Sequence, residues 1–226
     1  MLFNLLQIDS QTILLQESPS ISLISLAIKG GWLMIPLLLL SIIALYIIGE
    51  RWYTLRIASK QDQNFMENIR DFIAEGKFTS AQHLCRTQTS PTARFVEKGL
   101  EQINMPIADI HASLESVGNL EIARLERGLP MLATIAGGGP MVGFLGTVIG
   151  MVQAFFNMAQ AGNNVDITLL SGGIYTALVT TVAGLVVGIT AYFGYNYLSA
   201  RIGGIMRLME RNIIDITEMI REIHQK

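Results

Sequence analysis

Three long runs of apolar residues, each without a charged side chain, dominate the chain. They extend over Gly30–Gly49, Met131–Met158 and Ser171–Ser199. A helix needs about 20 apolar residues to cross the hydrocarbon core of a membrane, and each run supplies them. Within residues 130–200 the only formal charge is Asp166, in the polar stretch between the second and third runs. The pattern predicts three transmembrane helices, the last two joined by a short hairpin.

Between the first and second runs, the apolar positions recur at helical spacing and predict several helices. They are Phe65, Ile69, Phe72 and Ile73, then Ala81, Leu84 and Cys85, then Phe95, Val96, Leu100 and Ile103. Gly76, Pro91 and Pro106 end these three short helices or lie just after them. Beyond Pro106 the helical spacing continues to Pro130 without a strong breaker. The second transmembrane helix is therefore expected to be the end of one long helix that begins in the cytoplasm.

The residues after the third run carry a regular apolar seam. Its members alternate at spacings of four and three and are Ile202, Met206, Met209, Ile213, Ile216, Ile220 and Ile223. This spacing is typical of a heptad repeat and predicts that the third transmembrane helix continues into the cytoplasm. Two interpretations stay open: the seam packs on a neighbouring helix of the same chain, or it also helps to hold an oligomer together.

The composition agrees with a membrane protein and excludes several function classes. Hydrophobic residues make up 50% of the chain and charged residues only 15%, against about 25% charged residues in soluble domains. The net charge of −2 argues against a nucleic-acid partner. The single cysteine, Cys85, excludes an internal disulfide and a cysteine-rich metal site. No nucleophile–base arrangement is evident, so neither a catalytic site nor a metal site is predicted.

Basic residues cluster at one end of the predicted transmembrane helices. Arg51, Arg124, Arg127 and Arg201 all lie on one side, whereas Lys29 stands alone on the other. Positive charge favours the cytoplasmic side, which places the N-terminus and the hairpin outside. These arginines contact lipid headgroups or form ion pairs between helices; the sequence leaves both interpretations open.

Small residues form stripes at helical spacing along the second and third transmembrane helices. The stripes are Gly139, Gly143, Gly146, Gly150 and Ala154, and Gly173, Ala177, Gly184, Gly188 and Ala191. Such stripes allow helices to approach closely inside a membrane. The glycines have that packing role alone or also contribute to contacts between chains.

Pro140 lacks an N–H and leaves the carbonyl of Ala136 without its helical donor, which predicts a kink or a loosened turn.

Threonines are the other frequent polar residues at membrane depth. Thr147, Thr176 and Thr181 are the candidates for an ion path, and Thr134, Thr180 and Thr190 are further members of the set. No Asp, Glu, Lys, Arg or His lies within any of the three predicted transmembrane helices. Proton relays in membranes normally use such residues. If the chain moves protons, a partner is therefore expected to supply the carboxylate.

One motif is specific enough to indicate a family. The segment Glu126–Phe155, which contains LGTVIG after Pro140, resembles the ExbB/TolQ branch of the MotA/TolQ/ExbB proton-channel family, and ExbB most of all. The resemblance extends to Lys29–Arg56 and Ser171–Leu198 and so covers all three transmembrane helices in order. Three transmembrane helices favour this branch over the flagellar MotA type, which has four.

The resemblance implies an assembly as well as a fold. ExbB-like subunits form pentamers around a pore lined by the second and third transmembrane helices. The pore holds an ExbD/TolR-like subunit with a single transmembrane helix, whose Asp faces threonines of the ring. Inward proton flow then drives motion coupled to a TonB-like protein. By motif position, Thr147 and Thr181 match the pore threonines.

Thr176 departs from the family pattern. Many ExbB and TolQ sequences carry Glu at this position, whereas a threonine hydroxyl cannot carry a proton at ordinary pH. Either that Glu is dispensable, or this chain uses a different ion; a ring of hydroxyl oxygens suits hydrated protons or Na⁺, and H⁺ is the expected coupling ion with Na⁺ as the alternative. No cofactor other than the coupling ion is expected.

The expected fold class is an all-α membrane protein with three transmembrane helices, the last two extended into the cytoplasm as long helices, and a helical cytoplasmic segment. In the bacterial inner membrane its segments are 1–29 (periplasmic, with an interfacial helix), 30–49 (first span), 50–129 (cytoplasmic helices), 130–158 (second span), 159–170 (periplasmic hairpin), 171–199 (third span) and 200–226 (cytoplasmic tail). The expected function is that of an ExbB-like motor subunit that energises a TonB-like outer-membrane transport system. The alternatives are a TolQ-like subunit for outer-membrane maintenance, a motility motor, or a scaffold that conducts nothing.

Overall fold

The structure is a computed structural model that describes residues 30–59, 64–88, 90–160 and 167–224. Its helices are α1 (Met34–Ala58), α2 (Phe65–Ala74), α3 (Phe78–Thr87), α4 (Pro91–Glu101), α5 (Ile107–Leu125), α6 (Leu129–Gln160) and α7 (Ile167–His224). No strand occurs in these ranges. The all-α prediction is confirmed. The interfacial helix expected before residue 30 and Asp166 of the hairpin lie outside the described residues.

Three helical stretches are long and apolar enough to cross a membrane, as predicted. They are Met34–Ala58, Ile107–Gln160 and Leu170–Ile223. The first of them leaves large apolar side chains such as Ile35, Leu38 and Tyr46 exposed in the protomer. Exposed apolar surface of this extent is typical of a helix that faces lipid or another subunit. The protein is therefore a multi-pass helical membrane protein.

The second long helical stretch is interrupted where the sequence predicted continuity. α5 ends at Leu125 and α6 begins at Leu129, and Gly128 in the turn has φ +88°. Pro130 explains the break, because it has no N–H with which to bond the carbonyl of Glu126. That carbonyl instead accepts from the amide of Leu129 at 3.0 Å, and Gly128 adopts the left-handed conformation that glycine tolerates.

Two compact units divide the chain. One contains residues up to Leu37 together with Val142–Gly184, and the other contains Leu38–Met141 together with Leu185–Lys226. The second unit holds a helical bundle built from α2 to α5 and the final part of α7. Its core comprises Phe65, Ile69, Ile73, Ala81, Cys85, Ala93, Phe95, Val96, Leu100, Ile110, Leu114, Met209, Ile213, Ile216 and Ile220.

The apolar seam at the end of α7 packs inside its own chain. Met209, Ile216 and Ile220 are fully buried against the core of the bundle, which agrees with the first of the two interpretations. Met206 departs from the heptad expectation, because it is 37% exposed and Ile205 packs in its place. An α-helix repeats every 3.6 residues rather than 3.5, so a strict heptad drifts off the buried face.

Local sequence features explain where the short helices end and begin. Gly76, after α2, has φ +71°, a conformation that glycine adopts at little cost and that commonly ends a helix. The hydroxyl of Ser90 caps α4 by accepting from the amide of Ala93 at 3.2 Å, and Pro91 follows in the first turn. Proline is well suited to that position because the first amides of a helix have no helical acceptor.

Candidate functional site

α6 and α7 approach each other closely within the first unit, because small residues face one another. A Cβ atom on Gly143 would lie 3.1 Å from the Cα of Gly184. Nearer the end of α6 and the start of α7, a Cβ atom on Gly173 would lie 2.6 Å from the Cβ of Ala154 and 3.2 Å from the carbonyl oxygen of Gly150. Only glycine fits where a backbone is this near. The two stripes named from the sequence therefore meet along this contact.

A hydroxyl bridges the two helices at the level of Gly143. Thr181 Oγ1 donates to the carbonyl oxygen of Gly143 at 3.0 Å. In an α-helix the same carbonyl is the acceptor for the amide four residues later, which is that of Thr147. The bridge thus brings Thr181 of α7 to the level of Thr147 of α6.

Each of the two hydroxyls donates a hydrogen bond to a backbone carbonyl and can still accept one. Thr147 Oγ1 donates to the carbonyl oxygen of Phe144 at 2.6 Å, as Thr181 does to that of Gly143. A hydroxyl has one donor proton and two acceptor lone pairs, so each threonine can still accept a hydrogen bond or bind a cation. Both side chains are partly exposed in the protomer. Phe144, one turn before Thr147, is 67% exposed.

Thr176 lies on a different side of α7 from Thr181. Its hydroxyl donates to the carbonyl oxygen of Gly172 at 3.0 Å, and its methyl group lies 3.7 Å from where a Cβ on Gly31 would stand. Residues five apart on an α-helix point about 140° away from each other. The structure therefore places Thr181 against the turn of α6 that leads to Thr147, and places Thr176 beside the residues that precede α1.

Thr180 is the polar residue whose importance the sequence reasoning missed. It is 1% exposed. Its hydroxyl lies 3.1 Å from the carbonyl oxygen of Gly30 and 2.8 Å from that of Thr176. A Cβ atom on Gly146 would meet its side chain at 2.4 Å. The signal was present in the sequence, because Thr180 fills the seven-residue gap in the α7 stripe between Ala177 and Gly184.

Pro140 and Gly188 make the corresponding close contact in the second unit. The ring of Pro140 would lie 2.5 Å from a Cβ atom on Gly188, and the carbonyl oxygen of Ala136 would lie 3.0 Å from it. Gly188 thus leaves room for the ring and for the carbonyl that Pro140 deprives of its donor. α6 runs through Pro140 without a break. The expected kink stays a prediction. Gly139 is buried.

The arginines named from the sequence have different environments. Arg51 is 8% exposed, donates to the carbonyl oxygen of Arg124 at 3.1 Å and pairs with Glu50. Arg124 pairs with the buried carboxylate of Glu121, which also accepts from Arg94 at 2.9 Å. Arg127 is exposed in the turn between α5 and α6.

Arg201 makes a different contact. Its guanidinium lies 5.7 Å from the ring centre of Tyr197.

No group of three or more metal-binding side chains occurs among residues 30–59, 64–88, 90–160 and 167–224. Burial raises the pKa of the Cys85 thiol to about 12, and the nearby Glu97 carboxylate adds to the shift. Cys85 therefore stays protonated near neutral pH, a form that is neither a nucleophile nor a metal ligand.

Comparison with known proteins gives a family. Residues 87–211 match the MotA/TolQ/ExbB proton channel family. An ExbB-like biopolymer transport protein of Synechocystis sp. is 32% identical over 174 residues, which cover 76% of this chain and 68% of the relative. The Tol-Pal system protein TolQ of Haemophilus influenzae is 36% identical over 111 residues, 47% of this chain and 48% of the relative. The biopolymer transport protein ExbB of Neisseria gonorrhoeae is 41% identical over 76 residues, 34% of each chain.

The helical fold and these matches define a class of membrane transport protein. The chain belongs to the MotA/TolQ/ExbB proton channel family, and it is a membrane subunit of the ExbB/TolQ type. The matched segment contains Thr147 and Thr181, all of α5 and α6, and most of α7.

Proposed function

We propose that the chain is the ring-forming subunit of an ion-driven motor in the bacterial inner membrane. Copies of the chain, most simply a pentamer, surround a pore lined by α6 and α7. An ExbD/TolR-like subunit with a single transmembrane helix occupies the pore. Membership of the proton channel family supports this assignment.

The observation that carries the proposal is a pair of hydroxyls in a segment without an ionisable group of its own. Thr181 donates to the carbonyl oxygen of Gly143 and Thr147, one helical turn further along α6, donates to that of Phe144, and residues 130–200 contain no charged side chain except Asp166. The hydroxyls can accept a hydrogen bond but cannot release a proton at ordinary pH. In the proposed path a carboxylic acid of the partner therefore carries the proton, and the threonine hydroxyls accept a hydrogen bond from that acid.

The chemistry of this step uses the free lone pairs of the two hydroxyls. A protonated partner carboxyl donates to Thr147 or Thr181, whose own protons are held by backbone carbonyls. Deprotonation then releases the partner, because a carboxylate has no proton to donate. One charge that crosses 100 mV supplies about 2.3 kcal/mol to this cycle. Na⁺ is the alternative coupling ion, since threonine oxygens also ligate cations. The presence of Thr176 in place of Glu supports this alternative.

The charge distribution supports a topology for this subunit. Residues 1–29 and the hairpin at 159–170 lie in the periplasm, and residues 50–129 and 200–226 lie in the cytoplasm. Basic residues near the ends of transmembrane helices favour the cytoplasmic side, and Arg51, Arg124 and Arg201 lie at one common end.

The motor energises a TonB-like protein that acts on outer-membrane transport. The ExbB relative, which is named a biopolymer transport protein, supports this role. The TolQ relative supports the second candidate, outer-membrane maintenance, at 36% identity. The pore site is the same in either role, so the same ion-flux experiment tests this site for both roles.

Thr181→Val is expected to lower ion flux at least tenfold without loss of the folded protein. Valine keeps the shape of threonine but removes the hydroxyl. The fold loses one hydrogen bond, a cost of about 1 kcal/mol, because the Gly143 carbonyl keeps the Thr147 amide. The measurement is dye-detected proton uptake by vesicles that contain the complex with its native partner, in Na⁺-free buffer and again with Na⁺.

Two variants control this experiment. Thr181→Ser keeps the hydroxyl and should retain most of the flux. Thr190→Val removes an exposed hydroxyl that bonds only within α7, to the carbonyl oxygen of Val186 at 2.8 Å, and should leave the flux unchanged. Full flux in Thr181→Val at normal abundance would contradict the role of this hydroxyl in the ion path, and absence of flux in the wild-type complex would favour a scaffold that conducts nothing.

A further inference from the structure

A groove in the second unit lies between α1, the start of α4 and the middle of α7. Its volume is about 640 Å³. Aromatic, aliphatic and basic side chains line it, and the residues that matter here are Trp52, Arg56, Ser59, Tyr197, Arg201 and Leu208. The lining contains no acidic side chain. The groove is therefore positive and amphipathic, which distinguishes it from the apolar contact that holds the threonines.

Aromatic rings hold both arginines of the groove. The Arg56 guanidinium lies 5.4 Å from the ring centre of Trp52, and that of Arg201 lies 5.7 Å from the ring centre of Tyr197. A cation within about 6 Å of an aromatic face is attracted to it. Neither arginine forms an ion pair with a carboxylate in the described part of the chain. Arg201 donates to the Tyr197 hydroxyl through Nε and one terminal nitrogen, both at 3.4 Å, which leaves three of its five N–H groups for an anion.

The groove lies at the level where the uncharged helical segments end. In α1 the charge-free run stops at Gly49, and in α7 it stops at Ala200, one residue before Arg201. Arg56 is about 10 Å beyond the end of its run, at 1.5 Å per residue. The headgroup region on one side of a bilayer is about 5–7.5 Å thick, and the Arg56 guanidinium returns to this level because it lies over the ring of Trp52, one helical turn nearer the membrane. Trp and Tyr residues are enriched at this level of membrane proteins, and Trp52 and Tyr197 lie there in this chain.

We propose that this groove binds the phosphate headgroup of an anionic membrane phospholipid. Arg56 and Arg201 donate to the phosphate oxygens, since guanidinium groups bind phosphate with paired N–H donors. Ser59 lines the groove beyond Arg56 on α1, and the rings of Trp52 and Tyr197, one helical turn nearer the uncharged runs than the arginines, contact the glycerol and acyl portion. Charge selects the lipid, so phosphatidylglycerol binds in preference to phosphatidylcholine.

This site separates the arginines into two groups. Arg51 and Arg124 serve the fold, because a backbone carbonyl and buried Glu121 engage them. Arg56 and Arg201 serve the lipid, because their guanidinium groups face rings and not carboxylates. The inference needs only that α1 and α7 cross the membrane, so it stands whether or not the ion path is correct.

The test is retention of lipid by the purified full-length complex. The complex is exchanged into detergent with phosphatidylglycerol, phosphatidylcholine or inorganic phosphate, and native mass spectrometry counts the lipids retained per subunit. We expect the wild type to retain phosphatidylglycerol and the double variant Arg56→Gln/Arg201→Gln to bind it about tenfold more weakly. The matched control is Arg127→Gln/Arg221→Gln, which removes the same charge from exposed positions outside the groove and should bind as the wild type does.

Three outcomes would overturn the proposal. Equal retention by the two double variants would mean that the groove does not select the lipid. Equal retention of phosphatidylglycerol and phosphatidylcholine by the wild type, or competition by inorganic phosphate alone, would exclude a lipid-specific headgroup site. Dissociation of the complex by Arg56→Gln/Arg201→Gln with unchanged lipid retention would assign the groove to a second copy of the chain. The variant Arg56→Lys/Arg201→Lys keeps the charge but loses the paired N–H donors, so it should restore only part of the preference.

Discussion

Gly173→Leu is expected to lower the amount of folded protein about tenfold, because it prevents α6 and α7 from packing together. A Cβ atom at Gly173 would lie 2.6 Å from the Cβ of Ala154 and 3.2 Å from the carbonyl oxygen of Gly150. Overpacking typically costs about 1–3 kcal/mol and occasionally more, and we expect a cost above that range here because backbone atoms cannot move aside as a flexible side chain would. α6 and α7 must separate. The yield of monodisperse complex in size-exclusion chromatography should fall about tenfold.

The neighbouring glycine provides the control for this prediction. Gly172 lies one position earlier on the same helix, and no atom lies within 4 Å of a Cβ placed there. Gly172→Leu adds the same side chain at the same depth and should leave the yield within twofold of the wild type. A normal yield of Gly173→Leu would show that the helices do not pack through these stripes.

Leu114→Ala is expected to have the second-largest effect, on the stability of the helical bundle in the second unit. Leu114 is 0% exposed and belongs to the core formed by α2 to α5 and the end of α7. Truncation of a buried leucine to alanine costs about 2–5 kcal/mol, through lost apolar burial and the cavity that remains. The midpoint of thermal unfolding, followed by circular dichroism of the purified complex, should fall by several degrees.

Leu120→Ala makes the same chemical change on the same helix at a surface position. Leu120 is 59% exposed, so little burial is lost and the midpoint should shift by less than about 1 °C. If both variants shifted the midpoint equally, the burial pattern of α5 would be wrong.

Most of the helical architecture could be predicted from the sequence, because periodicity and helix breakers act locally. The apolar positions of α2 to α4 and the breaks at Gly76 and Pro91 required no tertiary information. The turn after Leu125 was missed, although Pro130 was recognised as a breaker. A proline removes the donor for a carbonyl four residues earlier, so the break appears before the proline and not at it.

The site was harder to predict, because it depends on which faces of two helices meet. The sequence selected Thr147, Thr176 and Thr181 as a set, but helix rotation places Thr176 apart from the other two. It gave Thr180 no special role, although this is the threonine buried most deeply between the helices. The ring contacts of Arg56 and Arg201 involve residues four positions earlier on the same helix and could have been read from the sequence. The burial of Arg51 against the carbonyl of Arg124, 73 positions away, is a contact that no local pattern encodes.

The most direct test of the central claim is the native mass of the complex, extracted gently from its own membranes. The account predicts a ring of several copies of this chain that carries fewer copies of a smaller protein with one transmembrane helix and a membrane-embedded Asp or Glu. That protein would supply the carboxylate that residues 130–200 lack apart from Asp166. A single copy of the chain, or a ring that retains native lipid but no such protein, would contradict the motor.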